Sequence, residues 1–374
     1  MKRVFFTFGA FTNQKIGGIS RQMYNLLSLS SKTNENVSTS FKLHRNEYLK
    51  MNVNKFNNRL FFVLMPELLL FLINLIYDFF HKIFFYKSIF YETLFYNFFK
   101  FSKKTKVILT IHDLIDEKYY NKDAKFNIKF KTNLKLFFKK ISIKNSDRII
   151  CVSENTKKDF FKYYGKYISK NKIKVIYPGY FNSDNFNLKI KKIKNKFTKK
   201  KYILFVGQRD GYKNFFNFIK AFSKSKYNKK YYIYCFGGNE FSNAEKEYFN
   251  KINLQNKIYR FKGSDSSLGQ FYKNAEFLIF PSIYEGFGVP PLEAMFLSCP
   301  VLASKSKSLE ESLGNAAIRF NPHKPSNIRN IIDNYIKNKK KLKPVLIKRG
   351  LQRVKNFSWE KMNKEVNEIY KNLN

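Results

Sequence analysis

The sequence predicts an α/β protein of two consecutive Rossmann-like halves facing a cleft. Three observations carry that expectation. Short apolar runs of buried-strand type alternate with helical stretches, as at Lys106-Val107-Ile108-Leu109-Thr110-Ile111 and Lys201-Tyr202-Ile203-Leu204-Phe205-Val206. Such alternation marks a parallel sheet covered by crossover helices. The pattern restarts after a lysine-rich stretch at residues 179–200. In both halves, candidate ligand residues follow the carboxyl ends of strands, which is where open α/β sheets bind small molecules.

A chain of 374 residues is too long for one ordinary core. The expected division is residues 1–178, a linker 179–200, a second domain 201–350 and a terminal helix 351–374. A hydrophobic fraction of 44% is that of a globular protein. Cys151, Cys235 and Cys299 lie far apart, without metal-ligand spacing and beside apolar runs, so they read as small buried residues in a reducing compartment. The net charge of +44 accompanies a dominance of Lys, Asn, Phe and Tyr. An A/T-rich coding bias produces that mixture and spreads charge diffusely. No nucleic-acid module is visible, so attraction to an anionic membrane on top of the bias is the expectation. The start Met1-Lys2-Arg3-Val4-Phe5-Phe6 reads as a first strand, being short for a signal peptide and without a cleavage site. A cytoplasmic protein, peripheral on the membrane, is expected.

In the first half, residues 3–9 read as a strand, followed by Gly17-Gly18 and a helix through Met23, Leu26 and Leu27. A glycine pair there makes either a nest of backbone donors for an anion or a simple tight turn. Residues 60–85 are the most apolar part, but Pro66, Glu67, Asn74 and Asp78 interrupt them. A span needs about 20 largely apolar residues; a buried helix is the first reading, an interfacial one flanked by Tyr, Phe and Lys the second. The strand Lys106 to Ile111 ends in His112-Asp113, at a place where a histidine can meet a ligand. Residues 146–156 read as a strand ending in a helix cap, at Ser153 or Thr156. Residues 173–177 form the last strand of this half.

The second half opens with the strand 201–206 and the loop Gly207-Gln208-Arg209-Asp210-Gly211-Tyr212-Lys213-Asn214. Two cations beside a glycine loop suit a diphosphate on electrostatic grounds. Strands follow at 231–236 and 259–263, and later at 300–304. Between them, Glu276 to Phe280 reads as a buried strand and Leu292 to Leu297 as a helix with two prolines at its start. Gly286 and Gly288 let the backbone approach a ligand, and the helix end favours an anion. Glu285 and Glu293 frame this loop. Carboxylates only accept hydrogen bonds, so the pair suits a partner rich in hydroxyl donors, although a Glu near a helix start also serves the dipole.

The string Pro281-Ser282-Ile283-Tyr284-Glu285-Gly286-Phe287-Gly288-Val289-Pro290-Pro291-Leu292-Glu293-Ala294-Met295 resembles the signature of family-4 retaining glycosyltransferases of the GT-B fold. The likeness is closest to mannosyltransferases of surface-polysaccharide assembly, such as lipopolysaccharide, and it covers nearly the whole chain, most loosely at 35–105. It implies that Glu285 contacts the donor sugar and Glu293 the ribose. It places His112 near the reacting carbon, Gly17-Gly18 towards the donor phosphates, Arg21 on the acceptor side, and Asp113 on the acceptor side or in a structural role. Gly207, Arg209 and Lys213 match the diphosphate loop, although many members carry a further Arg where Tyr212 stands. N–H groups at Phe287, Gly288 and Val289 would assist, and Ser264 and Leu268 would hold the base. The implied catalytic set is thus His112, Arg209, Lys213 and Glu285. No Asp-x-Asp motif is present, so no metal is expected. The donor would be GDP-mannose or a UDP-hexose, the acceptor a glycan or lipid-linked glycan. The terminal helix would return to the N-terminal domain. The alternatives are an epimerase or phosphorylase on the same fold, or a non-catalytic basic protein binding membrane or nucleic acid.

Overall fold

In a computed structural model, residues 2–34, 36–50, 60–95, 97–119, 126–180 and 200–373 are described. Most of the expected linker 179–200 therefore lies outside the described residues. The chain forms two compact units: unit 1 is Met1–Gly179 with Trp359–Asn374, and unit 2 is Tyr180–Ser358.

Unit 1 contributes β1 (Val4–Phe6), β2 (Val37–Thr39), β3 (Leu43–His44), β4 (Phe61–Phe62), β5 (Ile89–Glu92), β6 (Lys106–Ile111), β7 (Arg148–Cys151) and β8 (Ile173–Val175). Six of these form one sheet in the order β2-β1-β5-β6-β7-β8. Every pairing is parallel, the arrangement of a sheet covered on both faces, and the central β1, β5 and β6 are largely apolar. Strands β2 and β5 were not read from the sequence. Strand β2 is three residues, Val37-Ser38-Thr39, in a Ser/Thr/Asn-rich stretch, and β5 lies where Phe and Tyr crowd without alternation, so neither period stands out. The helix Trp359–Lys371 packs on the helix Gly18–Thr33, with Ser30 Oγ donating to Asn363 Oδ1 at 2.6 Å. A Cβ on Gly179 would lie 2.4 Å from the Trp359 ring, so this junction admits only glycine. The preceding helix, Lys339–Val354, belongs to unit 2.

Unit 2 adds β9 (Tyr202–Val206), β10 (Tyr232–Phe236), β11 (Ile258–Phe261), β12 (Phe277–Phe280), β13 (Val301–Ser304) and β14 (Ile318–Phe320). They form a second parallel sheet in the order β11-β10-β9-β12-β13-β14. The α/β class with two Rossmann-like sheets is therefore as predicted. All three cysteines are free and buried.

The helix Glu67–Phe84 overturns the first reading made of it. Its buried residues are Leu70, Asn74, Asp78 and Lys82, one face at four-residue spacing and three parts polar. Asn74 Nδ2 donates to Thr12 Oγ1 at 3.1 Å and to the Leu43 carbonyl at 2.9 Å. Lys82 Nζ lies 2.7 Å from Asp78 Oδ2 and 2.9 Å from Glu92 Oε1, and it also donates to Asn97. Ser40 and Thr7 hydroxyls donate to Asp78 and Glu92 at 2.7 and 2.8 Å. Burial raises the Glu92 carboxyl above the ordinary range; Lys82 opposes the rise and Asp78 adds to it. Leu70, Phe71 and Leu75 face the core, but Leu68, Leu72, Ile76, Phe80, Ile83 and Phe84 face outward. Among the described residues, no helix is long and apolar enough to cross a membrane.

Two buried carboxylates around one lysine make that lysine indispensable. Lys82→Met should destabilise unit 1 by about 3–5 kcal/mol, because it leaves uncompensated buried charge. Chemical denaturation of the variant beside wild type measures this.

Candidate active site

Numbered within its own sheet, unit 2 runs 3-2-1-4-5-6, so the winding direction reverses between β9 and β12. Outside the carboxyl ends at such a switch point the two flanking loops diverge and leave a crevice. The loops there are 207–214 after β9 and 281–288 after β12, which are the two that carry the predicted phosphate and sugar residues.

Their geometry is fixed locally. Gly207 has φ +121° and Asn214 φ +59°. Asn214 Nδ2 donates to the Pro281 carbonyl at 3.1 Å and the Pro322 carbonyl at 2.8 Å, and Ile283 N–H donates to the Tyr212 carbonyl at 2.8 Å. The first loop is thus stitched to the second, and the short 3-10 turn Gly211–Lys213 delivers Lys213 across the gap. Its Nζ lies 2.7 Å from Glu285 Oε1, with both side chains mostly buried. The ammonium also sits 5.4 Å from the centre of the Phe280 ring.

The helix after the second loop begins at Val289, earlier than the sequence suggested, with Gly288 as its N-cap at φ +90°. A Cβ on Gly288 would meet Leu309 Cδ2 at 2.4 Å. Pro290 and Pro291 lack N–H groups, so the free donors of this helix end are concentrated at its first residues. The Phe287 ring is buried and stands edge-on to Phe357 at 5.2 Å. Glu293 is 1% exposed and accepts from the Tyr272 hydroxyl at 3.0 Å; it points inward rather than serving the helix dipole at the surface. Ser264 caps the helix Asp265–Asn274 after β11, and Leu268 lies buried in that helix.

Arg209 is placed differently from Lys213. Its Nε donates to Glu245 Oε1 at 2.6 Å, and Nη2 donates to Glu245 Oε2 and the Asn239 carbonyl. Burial works against ionisation of Glu245, but the bonds from Arg209 and Ser242 outweigh it and hold that carboxyl below its ordinary pKa. The guanidinium is therefore already neutralised and stacked over Phe241 at 4.6 Å. Only Nη1, buried and without a hydrogen-bond partner among the described residues, remains for a ligand. It lies 2.9 Å from where a Gly238 side chain would begin. Glu245 escaped the sequence reading, yet Ser242-Asn243-Ala244-Glu245 is a capping box, formed in full here.

In unit 1, His112 follows β6, central in its sheet. Its Nε2 is 2.8 Å from Thr93 Oγ1, which follows β5. Burial and the nearby Lys139 cation lower the His112 pKa from 6.5 to about 4. Asp113 turns back to accept from Ile115 N–H at 3.1 Å. Lys139 forms a buried pair with Glu117 at 2.7 Å, and Glu117 also accepts from the Tyr164 hydroxyl. Together with Gln14, Leu134 and Phe138, His112 and Asp113 line a pocket of about 480 Å³. Gly17 is extended, not left-handed. Its missing side chain makes room for Gln14, whose Oε1 accepts from Ser20 N–H at 2.9 Å. Part of the expected nest is thus occupied by the protein's own amide. Arg21 lies on the first turn of that helix, half-buried.

Two outcomes follow from this geometry. Gly288→Ala should lose about 1–3 kcal/mol from backbone strain alone, with Leu309 adding a clash, and a thermal melt reads the loss. Because the folded pKa of His112 lies below its unfolded value of 6.5, the unfolded chain takes the proton first. The stability contributed by neutral His112 is complete above pH 6.5 and is lost as pH falls towards 4. Denaturation at pH 7.5 and pH 4.5 should show a smaller loss in His112→Gln than in wild type.

Residues 186–353 match the family described as Glycosyl transferases group 1, and residues 45–180 the one described as Glycosyltransferase Family 4. The chain is 30% identical over 229 residues to the O-antigen chain mannosyltransferase RfbU of Salmonella typhimurium, covering 60% of each protein. It is 35% identical over 109 residues to O-antigen chain mannosyltransferase B of Escherichia coli, covering 29% of this chain and 28% of that one. These matches span about three fifths or less of the relatives' lengths. The fold is that of sucrose-phosphate synthase from Thermosynechococcus elongatus (TM-score 0.77, 17% identity, 100% and 99% of the two chains). It is also that of WaaG, a glycosyltransferase involved in lipopolysaccharide biosynthesis (TM-score 0.73, 12% identity, 98% and 99%). Residues 45–180 thus carry a Glycosyltransferase Family 4 domain and residues 186–353 a Glycosyl transferases group 1 domain, on the fold shared by these glycosyltransferases.

Proposed function

We propose that this chain transfers a hexosyl unit, mannosyl in the first instance, from a nucleotide-sugar to a hydroxyl of a glycan or lipid-linked glycan, retaining the anomeric configuration and using no metal ion. The observation that carries the reading is the Lys213–Glu285 pair across the switch point of unit 2, 2.7 Å apart. An arriving diphosphate offers Lys213 a stronger anion than a single carboxylate. Glu285 is then released to accept hydrogen bonds from the sugar, so one exchange assembles both halves of the donor site.

The remaining roles follow the same logic. The N–H groups at Phe287, Gly288 and Val289 would meet phosphate oxygens with the positive helix end behind them. Glu293, buried against Tyr272, would accept from ribose hydroxyls. Gly207, at φ +121°, makes the turn that leads to Lys213, and Ser264 would lie towards the base. Arg209 acts chiefly by holding its loop through Glu245, with Nη1 left for a phosphate oxygen. As the leaving diphosphate gains charge, Lys213 and these donors stabilise it. The acceptor hydroxyl would give its proton to a donor phosphate oxygen while its oxygen bonds to the anomeric carbon on the face that the diphosphate leaves. His112, neutral above pH 5 or so by its lowered pKa, is assigned to the donor sugar as a hydrogen-bonding group; Asp113, Arg21 and Gly17-Gly18 keep the acceptor-side and phosphate roles that the resemblance gives them. The O-antigen mannosyltransferases support mannose as the sugar. The Anabaena HepE structure in complex with UDP-glucose, alike in fold at TM-score 0.74, supports a nucleotide-sugar donor and keeps the UDP-hexoses as the second class. A cytoplasmic location accords with that donor.

Thermal titration with GDP-mannose, UDP-glucose, UDP-galactose and UDP-N-acetylglucosamine tests the reading. One donor should stabilise the protein by about 2.7 kcal/mol at a hundredfold excess over its Kd, and Glu293→Ala should abolish the shift. Lys213→Ala should lower kcat by roughly 10²–10³-fold, the effect expected of a group that stabilises developing charge. Absence of any shift with all four donors, GDP and UDP would refute it.

A further inference from the structure

The helix Glu67–Phe84 buries Asn74, Asp78 and Lys82 beside Leu70, and a stripe of its apolar residues faces outward. Leu68, Leu72, Ile76, Phe80, Ile83 and Phe84 are all exposed, Leu68 and Phe84 to 69% and 75%. The inward face cannot take their place. Asn74, Asp78 and Lys82 hold it through bonds to Thr12, Ser40 and Glu92, so rolling the helix would break every one of them. Beside its C-terminal end the apolar surface continues into Phe99 and Phe101, both exposed and packed on Phe79 at 5.4 and 4.9 Å. Cations rim the same end. Arg3, Lys87, Lys103 and Lys104 are exposed, and the Lys103-Lys104 turn is tied to the helix end by Thr105 Oγ1, which donates to the Tyr86 carbonyl at 2.7 Å.

We propose that this face seats in the headgroup–acyl boundary of an anionic lipid bilayer, the helix lying in the plane of the surface with its basic rim among the phosphates. An apolar stripe bordered by aromatic and basic residues is the form that binds such a boundary without spanning it. Charge selects this occupant. A second copy of the chain would bring the same net charge of +44 against the basic rim and be repelled, whereas an anionic bilayer satisfies rim and stripe together. The proposal does not rest on the transfer reaction, since adsorption is measured without donor or turnover.

Co-sedimentation of the full chain with phosphatidylcholine vesicles, and with vesicles that also carry phosphatidylglycerol, tests it. Partition should be at least about tenfold higher on the anionic vesicles, given roughly 1 kcal/mol per basic residue near such a surface. Leu72→Ser/Ile76→Ser/Phe80→Ser should lose at least about tenfold of that binding with an unchanged melting curve, because the three side chains are exposed. Lys87→Glu/Lys103→Glu/Lys104→Glu should abolish the preference for phosphatidylglycerol. Should the serine variant fold poorly, Phe80→Trp replaces it, and the indole emission should shift to the blue on anionic vesicles. Equal binding by the serine variant, or no blue shift in the vesicle-bound Phe80→Trp protein, would reduce the effect to diffuse charge and overturn the proposal. So would a dimer in sedimentation that the serine substitutions dissociate, which would assign the face to a second copy.

Discussion

The chemistry of unit 2 depends on one topological gap. Parallel strands wound outward in both directions from β9 and β12 must leave their first two loops diverging, and whatever fills that space has to come from those loops. Here a salt bridge fills it, 2.7 Å from Lys213 to Glu285, backed by the Asn214 amide that fastens the two loops to each other. The sheet supplies rigidity and the loops supply charge. Neither the cation nor the carboxylate could be placed this way from a single strand end, because adjacent parallel strands that wind in one direction send both loops over the same face.

Two neighbouring cations on one loop have different fates in this frame. Lys213 meets Glu285, a carboxylate with no capping box around it. Arg209 meets a carboxylate that is itself locked by its capping box, and its guanidinium also donates to the Asn239 and Glu240 carbonyls. Guanidinium matches such a planar, bidentate setting and an ammonium does not, which explains why the arginine carries the structural task.

The signature around Glu285 was legible because its residues are backbone specialists: a left-handed glycine and two prolines at a helix start have few other uses. Ser153 as a helix cap was legible for the same local reason, and its Oγ does accept from Thr156 N–H. Long-range pairing was not. Glu245 lies 36 residues from Arg209, and no local pattern joins them, although the capping box marked Glu245 as a residue with a task. The helix at 67–84 was misread because apolar periodicity reports which face is apolar, not which way it points, and a polar cluster can bury itself when every group in it finds a partner. Strand β5 was hidden by its own composition. In a chain with 43 Phe and 25 Tyr, an apolar aromatic run is too common to announce a strand. The same bias shapes the core of unit 2, where Tyr202, Tyr231, Tyr272 and Tyr335 are buried and each hydroxyl finds an acceptor in Phe271, Glu276 or Glu293.

Residues Trp359–Asn374 belong to unit 1, and the whole of unit 2 lies between them and Gly179 along the chain. Unit 2 is an insertion, and the order of synthesis follows from that. A growing polypeptide completes the β9–β14 sheet while the helix Gly18–Thr33 still waits, its Ser30 hydroxyl and apolar side bare, for a partner that emerges after all of unit 2. A late stretch closes the first unit begun, with Trp359 dropping against the vacancy at Gly179. Unit 1 therefore becomes whole only after its neighbour has been translated, and its quality depends on residues that took no part in building its sheet.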